Sequence, residues 1–482
     1  MSRHLLPRLL PVALMLATLS SRAADVASKP PPPPTVQALA ERLQRLEQLL
    51  GASQAQVGAD GDSVAELDQR LRVLERKLEL QQEEAATKAA SAPVVAFGDK
   101  GLSVRNASGD YEFKVKALVQ ADARLFFDEH EIQQSDTFLL RRVRPTFEGS
   151  LGPQIGYRLT PEFAGDSATI VDAYLDVRFN PAYTLRAGKY KSPIGLERLQ
   201  SGGATAMMER AFPTELAPNR DIGVQLMGEV AKGRVSYALG VSNGTADGRD
   251  ATTTNPDGNF ELAGRVFFEP WKNDASALSG LGFGLAASAG DNEGSGNNFL
   301  PRYRTPGQNV FFSYRATVLA DGQHQRISPQ FFYYRNAFGL MGEYIASKQE
   351  LALIGNTNAR DSLTNTAWQL TGSWVLTGED GGYRGVVKPA HPFTADGEGW
   401  GAFELVGRYS VLDIDDDAFP VYANPSLAPT LARSWGLGLN WYLNSNLKLV
   451  FNVTDTRFDG GAPLGADRED EKTFFSRVQV AF

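Results

Sequence analysis

The chain of 482 residues contains no cysteine. A disulfide scaffold, a cysteine metal site, a cysteine nucleophile and a cysteine-linked lipid anchor are therefore excluded. It has no excess of positive charge: Lys plus Arg total 48 against 56 Asp plus Glu, net −8. That balance argues against general nucleic-acid binding, which wants a basic surface. Past the extreme N-terminus histidine is confined to His130, His324 and His391, on separate segments, so no metal cluster is suggested. Nor does any apolar run there reach the ~20 residues of a membrane-spanning helix. By these absences the chain reads as an acidic, soluble protein of about three domains at roughly 150 residues each, or as one large barrel.

What is present changes that reading. Residues 1–23 have the form of a secretory signal peptide: Arg3 and Arg8, an apolar stretch from Leu9 to Leu19, and Ser21-Arg22-Ala23 as a small-x-small cleavage site. The apolar stretch is too short for an anchor. Cleavage also removes three arginines and takes the net charge to −11. Residues 24–34 form a linker with a stiff polyproline run, Pro30 to Pro34.

A heptad frame occupies 35–90. Its a positions are Val36, Leu43, Leu50, Val57, Val64, Leu71 and Leu78, and its d positions include Leu39, Leu46, Leu67 and Leu74. The register is kept across a weak centre at Gly58 to Gly61. With charged neighbours such as Arg42, Glu47, Arg70 and Glu75, this predicts an α-helical coiled coil rather than a helix packed on its own domain. Leu-rich a and d positions leave the oligomer number open.

From Tyr111 onward the period becomes two. Phe113, Val115, Ala117, Val119, Ala121, Ala123, Leu125 and Phe127 form one face; Lys114, Lys116, Leu118, Gln120, Asp122, Arg124 and Phe126 form the other. Trp435, Leu437, Leu439, Trp441 and Leu443 line one side of a later strand. Sixteen such strands are predicted: 111–127, 137–150, 153–164, 168–179, 183–190, 221–231, 233–243, 260–269, 280–289, 324–334, 337–347, 364–377, 398–412, 432–443, 446–457 and 471–482. The stretch 309–319 also alternates and is placed in a long loop or as an extension of a neighbouring strand, because bacterial barrels prefer even numbers.

A soluble sandwich would show many short strands. Here the strands are long, one face is charged, and a secretion signal precedes them. The expectation for 91–482 is an all-β domain, a 16-stranded antiparallel transmembrane β-barrel in the bacterial outer membrane, with the coiled coil in the periplasm. Its surroundings are then the lipid bilayer and lipopolysaccharide. The last strand, Glu471 to Phe482, ends on an aromatic residue with Phe474, Val478 and Val480 on the same face, and resembles the terminal recognition strand of such barrels. Short connections with turn residues (Gly152-Pro153, Asn180-Pro181, Lys232-Gly233, Asn336, Asn444 to Asn446) fall on the periplasmic side. The long ones face outward. Sixteen strands leave an aqueous channel.

Several segments carry a more specific likeness: Phe138-Leu-Leu-Arg-Arg-Val-Arg, Asn180-Pro181, Gly195-Leu196-Glu197-Arg198 through Glu209-Arg210, Leu376-Thr-Gly-Glu379, Tyr383-Arg384, Lys388-Pro389, Gly401 to Tyr409, and Leu439-Asn-Trp-Tyr442. In this order, over about 100 to 482, the chain resembles the phosphate-selective porin O/P family. The resemblance implies a homotrimeric, passive outer-membrane channel for phosphate or similar small anions, with no cofactor, no metal and no catalysis. It also implies a third outward loop, here 191–220, folded into the barrel.

By the same resemblance Arg198 and Arg210 fall on basic constriction positions of that loop and Ser201 on a hydroxyl position. Arg141 and Arg142 match paired wall arginines. Arg302 and Arg304 match part of a fifth-loop arginine run. Arg384 and Lys388 match basic positions of a periplasmic turn that bends into the lumen. The chain departs from the family at Leu118, where the family has arginine, at Gly202, where a second serine is usual, and at Val171-Asp172, beside a carboxylate position.

Arginine suits the implied chemistry, since it offers planar bidentate donors to oxyanions and rings of Arg or Lys favour anions in a pore. The bland alternative for each basic residue is a wall charge paired with Asp or Glu across the lumen. Two other functions compete with the anion channel: an envelope tether that reaches the cell wall through the coiled coil, and a general or sugar porin without anion selectivity. A sugar path would want aromatic slides in the lumen, whereas the aromatics fall mostly on the apolar face. The aspartates from Asp413 to Asp417 lack a twelve-residue calcium-loop pattern. Gly378 to Gly382 is turn chemistry without a following Gly-Lys-Ser/Thr, and no Ser/His/Asp arrangement is defensible.

Overall fold

The computed structural model describes residues 61–127, 136–385 and 387–482. The signal peptide, the proline linker, the first part of the heptad frame and His130 lie outside the described residues. Two compact units are distinguished, divided between Ala89 and Ala90.

In the first unit, helix α1 (Gly61–Ser91) starts where the weak centre of the heptad frame ends. Its surface carries Asp68–Arg72 and Arg76–Glu79 pairs, each at 2.9 Å, the i,i+4 and i,i+3 spacings that support an exposed helix. Leu71, Leu74 and Leu78 are all exposed along one stripe.

The second unit is built on one continuous antiparallel sheet of eighteen strands. β1 (Val94–Gly98) and β2 (Gly101–Arg105) form a hairpin that the period-two pattern did not reveal. The other sixteen close into a barrel. They run β3 (Tyr111–Phe126), β4 (Thr137–Leu151), β5 (Ile155–Glu162), β6 (Thr169–Asn180), β7 (Tyr183–Tyr190), β8 (Asp221–Val230), β9 (Val235–Ser242), β10 (Glu261–Phe268) and β11 (Leu281–Glu293). After a small separate hairpin, β12 (Arg302–Arg304) with β13 (Val310–Ser313), they continue as β14 (Val318–Arg335), β15 (Phe338–Leu353), β16 (Asn356–Val375), β17 (Ala402–Asp413), β18 (Pro429–Tyr442), β19 (Leu447–Gly460) and β20 (Glu471–Ala481). β20 returns to β3, from Thr473 opposite Phe126 to Ala481 opposite Leu118. Below that, Ala117 and Phe482 exchange both backbone hydrogen bonds, at 2.8 and 3.0 Å.

All sixteen expected strands are present. The largest departures are at β14 to β16, which extend well beyond the alternating stretches. The sequence from Asn356 to Asp361 has no alternating apolar residues, so the hydrophobic pattern is silent while the strand continues. Segment 309–319 divides: Val310–Ser313 is β13, and Val318 opens β14. The turn chemistry is as read, with Ala231, Lys232 and Asn336 at positive φ (52, 59 and 49°).

The barrel is turned inside out relative to a soluble sandwich. On β18, outward Leu437 is 55 % exposed while inward Asn440 is 0 % exposed. Aromatic pairs on the outer surface, Phe338–Trp374, Phe403–Trp441 and Trp368–Tyr409, each have centroids 5.6 Å apart, the residues that favour a membrane–water boundary.

The apolar core lies inside the barrel. Loop 191–220 contributes Ile194, Phe212 and Leu216; loop 294–317 contributes Leu300, Tyr303, Phe311 and Phe312; loop 414–428 contributes Ile414 and Tyr422. They pack on wall residues such as Ile345, Leu363, Leu412 and Phe458. Polar contacts cross-link the loops. Arg326 of β14, fully buried, binds Asp247 of loop 243–260 at 2.7 Å and Glu261 of β10 at 2.9 Å. The tip of loop 294–317 reaches the far wall, where the Glu471 carboxylate accepts from Thr305 Oγ1, Gly307 N and Asn309 Nδ2 at 2.8, 3.0 and 2.6 Å. Gly307 leaves no room for a Cβ against that carboxylate. The wall from β14 to β19 is thus covered by loops, and the open lumen runs down the β3–β10 side.

The exposed position of Leu437 gives a test. Leu437→Arg is expected to destabilise the barrel by ~2–4 kcal/mol in urea unfolding from lipid vesicles, the cost of a cation at the bilayer midplane. A loss under ~1 kcal/mol, the cost near an interface, would mean that Leu437 does not face deep hydrocarbon.

Candidate functional site

Loop 191–220 sets the geometry of the lumen. It leaves β7 and passes Gly195, whose φ of +82° suits a residue without a Cβ. A single helical turn (Leu196–Leu199) follows. Its first N–H groups, those of Leu196 and Glu197, donate to the Glu343 carboxylate of β15, the latter at 3.2 Å. Glu197 is itself fully buried: its carboxylate takes the Arg408 guanidinium, Ala211 N at 2.8 Å and Gln369 Nε2 at 3.1 Å. Further on, Glu209 is gripped by three wall arginines. Arg141 of β4 donates twice, at 2.6 and 3.0 Å; Arg124 of β3 donates at 2.7 Å; Arg477 of β20 lies at 3.6 Å. Burial opposes ionisation of Glu209, but Arg141, Arg124 and Arg477 hold its carboxyl well below the usual range.

Three cavities follow one another past this loop. The outermost, about 1000 Å³, has Arg249, Arg302, Arg315 and Arg468 in its lining and no carboxylate. The middle one, about 540 Å³, is lined by nine arginines (Arg141, Arg142, Arg144, Arg198, Arg210, Arg220, Arg249, Arg302 and Arg304) against Glu162, Glu209, Glu215 and Asp250. The third, about 1130 Å³, lies toward the short-turn end and includes Lys100, Lys116, Arg158, Arg186, Lys191, Arg265 and Arg384 against Asp99, Asp172 and Glu229. Arg249 and Arg302 line both the first and second cavities, and Arg144 and Arg220 both the second and third. Arginine therefore stands at each junction.

Six of the residues expected from the sequence meet in the middle cavity: Arg141, Arg142, Arg198, Arg210, Arg302 and Arg304. Ser201 and Arg384 line the third. Lys388 is not in the lining of these cavities; its ammonium is exposed and lies 3.9 Å from Asp99, which lines the third. The turn 376–401 enters the lumen at Arg384, and just before Lys388 the side chain of Val387 is buried against Val375, Ala402 and Tyr442.

The gathered arginines are not equivalent. Arg141 is spent largely on Glu209, the bland alternative named above. Arg144 pairs with Glu162 and Arg220 with Asp172, at 3.3 Å for the latter. Arg142, Arg198, Arg210, Arg249, Arg302 and Arg304 have no carboxylate partner within ion-pair distance among the described residues. Arg210 donates to the carbonyls of Glu197 and Gln200 at 3.0 and 2.9 Å, and Arg198 to Asn219 Oδ1 at 3.0 Å and to Thr214 O. The Nε atoms of Arg142 and Arg198 are buried and have no hydrogen-bond partner. A Cβ added at Gly202 would sit 3.1 Å from that Arg142 Nε, which places the departure from serine directly against an unsatisfied donor.

Both wall arginines face inward because of a β-bulge between Gln120 and Ala121. Gln120 opposes Arg142 while Ala121 opposes Leu140, so Arg141 is the extra residue. Sequence reasoning missed Arg144, Arg158, Arg186, Arg220, Arg249, Glu215 and Tyr383. The first three sit on inward positions of β4, β5 and β7, which a tally of charges on the polar face of each strand would have picked out. Arg249 and Tyr383 had no periodic signal, since they lie in long connections.

The comparisons agree with this architecture. The family profile described as phosphate-selective porin O and P matches residues 113–482. Porin O of Pseudomonas aeruginosa is 23% identical over 413 residues, covering 81% of this chain and 93% of its own length. Among solved structures, the outer membrane channel DcaP of Acinetobacter baumannii superposes with a TM-score of 0.50 at 12% identity, covering 78% of this chain and 99% of its own. A structure described as an anion-selective porin from Comamonas acidovorans gives 0.48 at 12% identity, covering 77% and 99%.

One group on loop 191–220 predicts a pH dependence. Burial pushes the Glu215 carboxyl up to about 7, against the opposing pull of Arg198 and Arg304, while the nearby Glu209 adds to the rise. As pH falls through about 7, Glu215 gains a proton and the cavity becomes more positive. The arginines around it stay charged throughout. Anion preference, read from reversal potentials, is expected to fall as pH rises through about 7. Glu215→Gln should remove that step.

Proposed function

Because the chain belongs to the phosphate-selective porin O and P family, we propose that this outer-membrane porin is a passive channel that prefers anions, with phosphate or polyphosphate as its solutes. The observation that carries this reading is the arginine lining of the middle cavity, nine guanidinium groups against four carboxylates, with six of the nine free of any acidic partner among the described residues. Guanidinium offers a planar fork to an oxyanion. An anion enters past Arg249 and Arg302, meets Arg198 and Arg210 on loop 191–220 opposite Arg142, and leaves between Arg144 and Arg220. There, pairing with Glu162 and Asp172 already occupies part of each cation. Weakened hold at the exit suits a channel, in which binding must be loose enough for release.

The magnitude favours the narrow part over the wide mouths. A unit pair at ~4 Å is worth about 1 kcal/mol at the dielectric of water and ~4 kcal/mol at an effective value near 20. Arg210→Ala is therefore expected to lower the anion-to-cation permeability ratio by about five-fold or more, the factor equivalent to that lower value. Single-channel recording of the purified protein decides the reading. Cation-favouring reversal potentials, with no block of chloride current by phosphate, would overturn it.

The working unit is a homotrimer. β5, β7, β9 and β10 each have eight residues, against 16 and 20 in β15 and β16. Eight residues at a ~40° tilt give a wall ~21 Å high, less than an apolar band of ~25 Å. Burial of this low wall against other copies spares it the mismatch. The leucine stripe of α1, exposed in a single copy, is the matching feature in the N-terminal unit: it forms the coiled coil that assembles the trimer or reaches toward the cell wall. Deleting residues 30–90 is expected to leave conductance unchanged and to lower the resistance of the oligomer to dissociation in detergent. Loss of conductance in an intact oligomer would contradict this division of labour.

A further inference from the structure

We infer that the turn 376–401 braces the throat from the periplasmic side, and that Tyr383 is the positioning residue through which it acts. The inference rests on the channel reading above and goes further by assigning control of the throat to Tyr383, a residue outside the lining of the three cavities.

The segment it holds is the helical turn Leu196–Leu199 with Gln200. One turn of helix is too short to hold its own shape, since nucleation is unfavourable and few internal bonds repay it. Its geometry is set by what grips it from outside. At one end, the Glu343 carboxylate receives the N–H groups of Leu196 and Glu197. At the other side, Tyr383 supplies two contacts. Its hydroxyl donates to the carbonyl of Leu196 at 2.7 Å, and its own carbonyl accepts from Gln200 Nε2 at 2.8 Å.

Tyr383 is in turn fixed by the wall. Its ring stacks on Phe332 of β14, centroids 4.9 Å apart and planes 16° from parallel. Phe332 packs on Phe267 of β10 at 5.1 Å. Leu196 belongs to the same buried apolar cluster as Phe267, Phe332 and Met341. The turn itself is anchored, with Gly381 N donating to Asn336 O at 2.8 Å and Val387 buried.

The braced segment is the one whose carbonyls orient the cations of the throat. Arg210 donates to Glu197 O and Gln200 O; Lys191 donates to Leu199 O and Gln200 O at 3.3 and 2.6 Å. A shift of Leu196 to Gln200 therefore moves Arg210 and Lys191 together. Among the described residues Tyr383 makes no hydrogen bond to either cation and holds them through this backbone, which makes its role one of position rather than of contact with solute.

Three variants of the full-length protein test this in planar bilayers: Tyr383→Phe, Tyr383→Ala and Gln200→Ala. Tyr383→Phe keeps the ring stack and loses the hydroxyl. Removal of one net hydrogen bond is expected to shift the balance between held and released loop by about five-fold, seen as open-channel flicker at near-parental mean conductance. Gln200→Ala, which leaves the Tyr383 pocket intact, is expected to give the same flicker. Tyr383→Ala is expected to add a fall in the anion-to-cation permeability ratio, because Arg210 loses its fixed acceptors. Parental noise and parental reversal potential in all three variants, each forming channels, would overturn the brace. Flicker in the variants of a parent that has no anion preference would retain the brace and refute the solute reading instead.

Discussion

Every backbone amide of the wall must find a partner without water, and closing the sheet satisfies that constraint along its whole edge. β20 meets β3 in register from Thr473–Phe126 to Ala481–Leu118, and the last residue, Phe482, completes the seam by pairing with Ala117. Once the sheet is closed, its two faces have fixed destinations. Leucine and valine go to lipid, and the charged alternate positions go to the lumen. An interior polar enough to hold water is then large enough to admit loops, and the chain uses it to build its apolar core inside the barrel, from loops 191–220, 294–317 and 414–428.

Those loops carry many charges, and burying charge is costly unless each is paired. The structure meets this with knots rather than single pairs. Glu209 is shared among Arg141, Arg124 and Arg477, with Asp122 bridging Arg124 and Arg477. Arg326 is shared between Asp247 and Glu261. Such knots divide arginine into two populations. Those in knots hold loops in place, and those left without carboxylates give the middle cavity its field. Arg141 and Arg142, adjacent in sequence and both turned inward by one bulge, fall on opposite sides of that division.

Much of the wall was legible in the amino-acid order. Period two from Tyr111 onward predicts all sixteen strands, since a lipid-facing strand must keep every second side chain apolar. Where that demand lapses, so does the signal: the extension Asn356 to Asp361 and the short strand Arg302–Arg304 are strands that no alternation announces. The candidate site was legible as a set of residue types but not as a constellation. The likeness of Gly195-Leu196-Glu197-Arg198 and of Arg141-Arg142 to a known family pointed to loop 191–220 and the wall it meets. No local pattern told that Glu209 engages Arg141, or that Tyr383 reaches Leu196 nearly two hundred positions away.

The sequence by itself determined the architecture, because strand period and turn chemistry are local properties, each written within a few consecutive residues. It also determined that the interior would be charged. Only the tertiary structure decided which charges remain available to a solute. A guanidinium's character in the lumen depends on whether a carboxylate lies within ~4 Å of it, and here those carboxylates come from the opposite wall or from a loop folded across the pore. Arg141 is paired with Glu209 of loop 191–220, whereas Arg210, the residue next to Glu209, is held by carbonyls and has no carboxylate within ion-pair distance among the described residues.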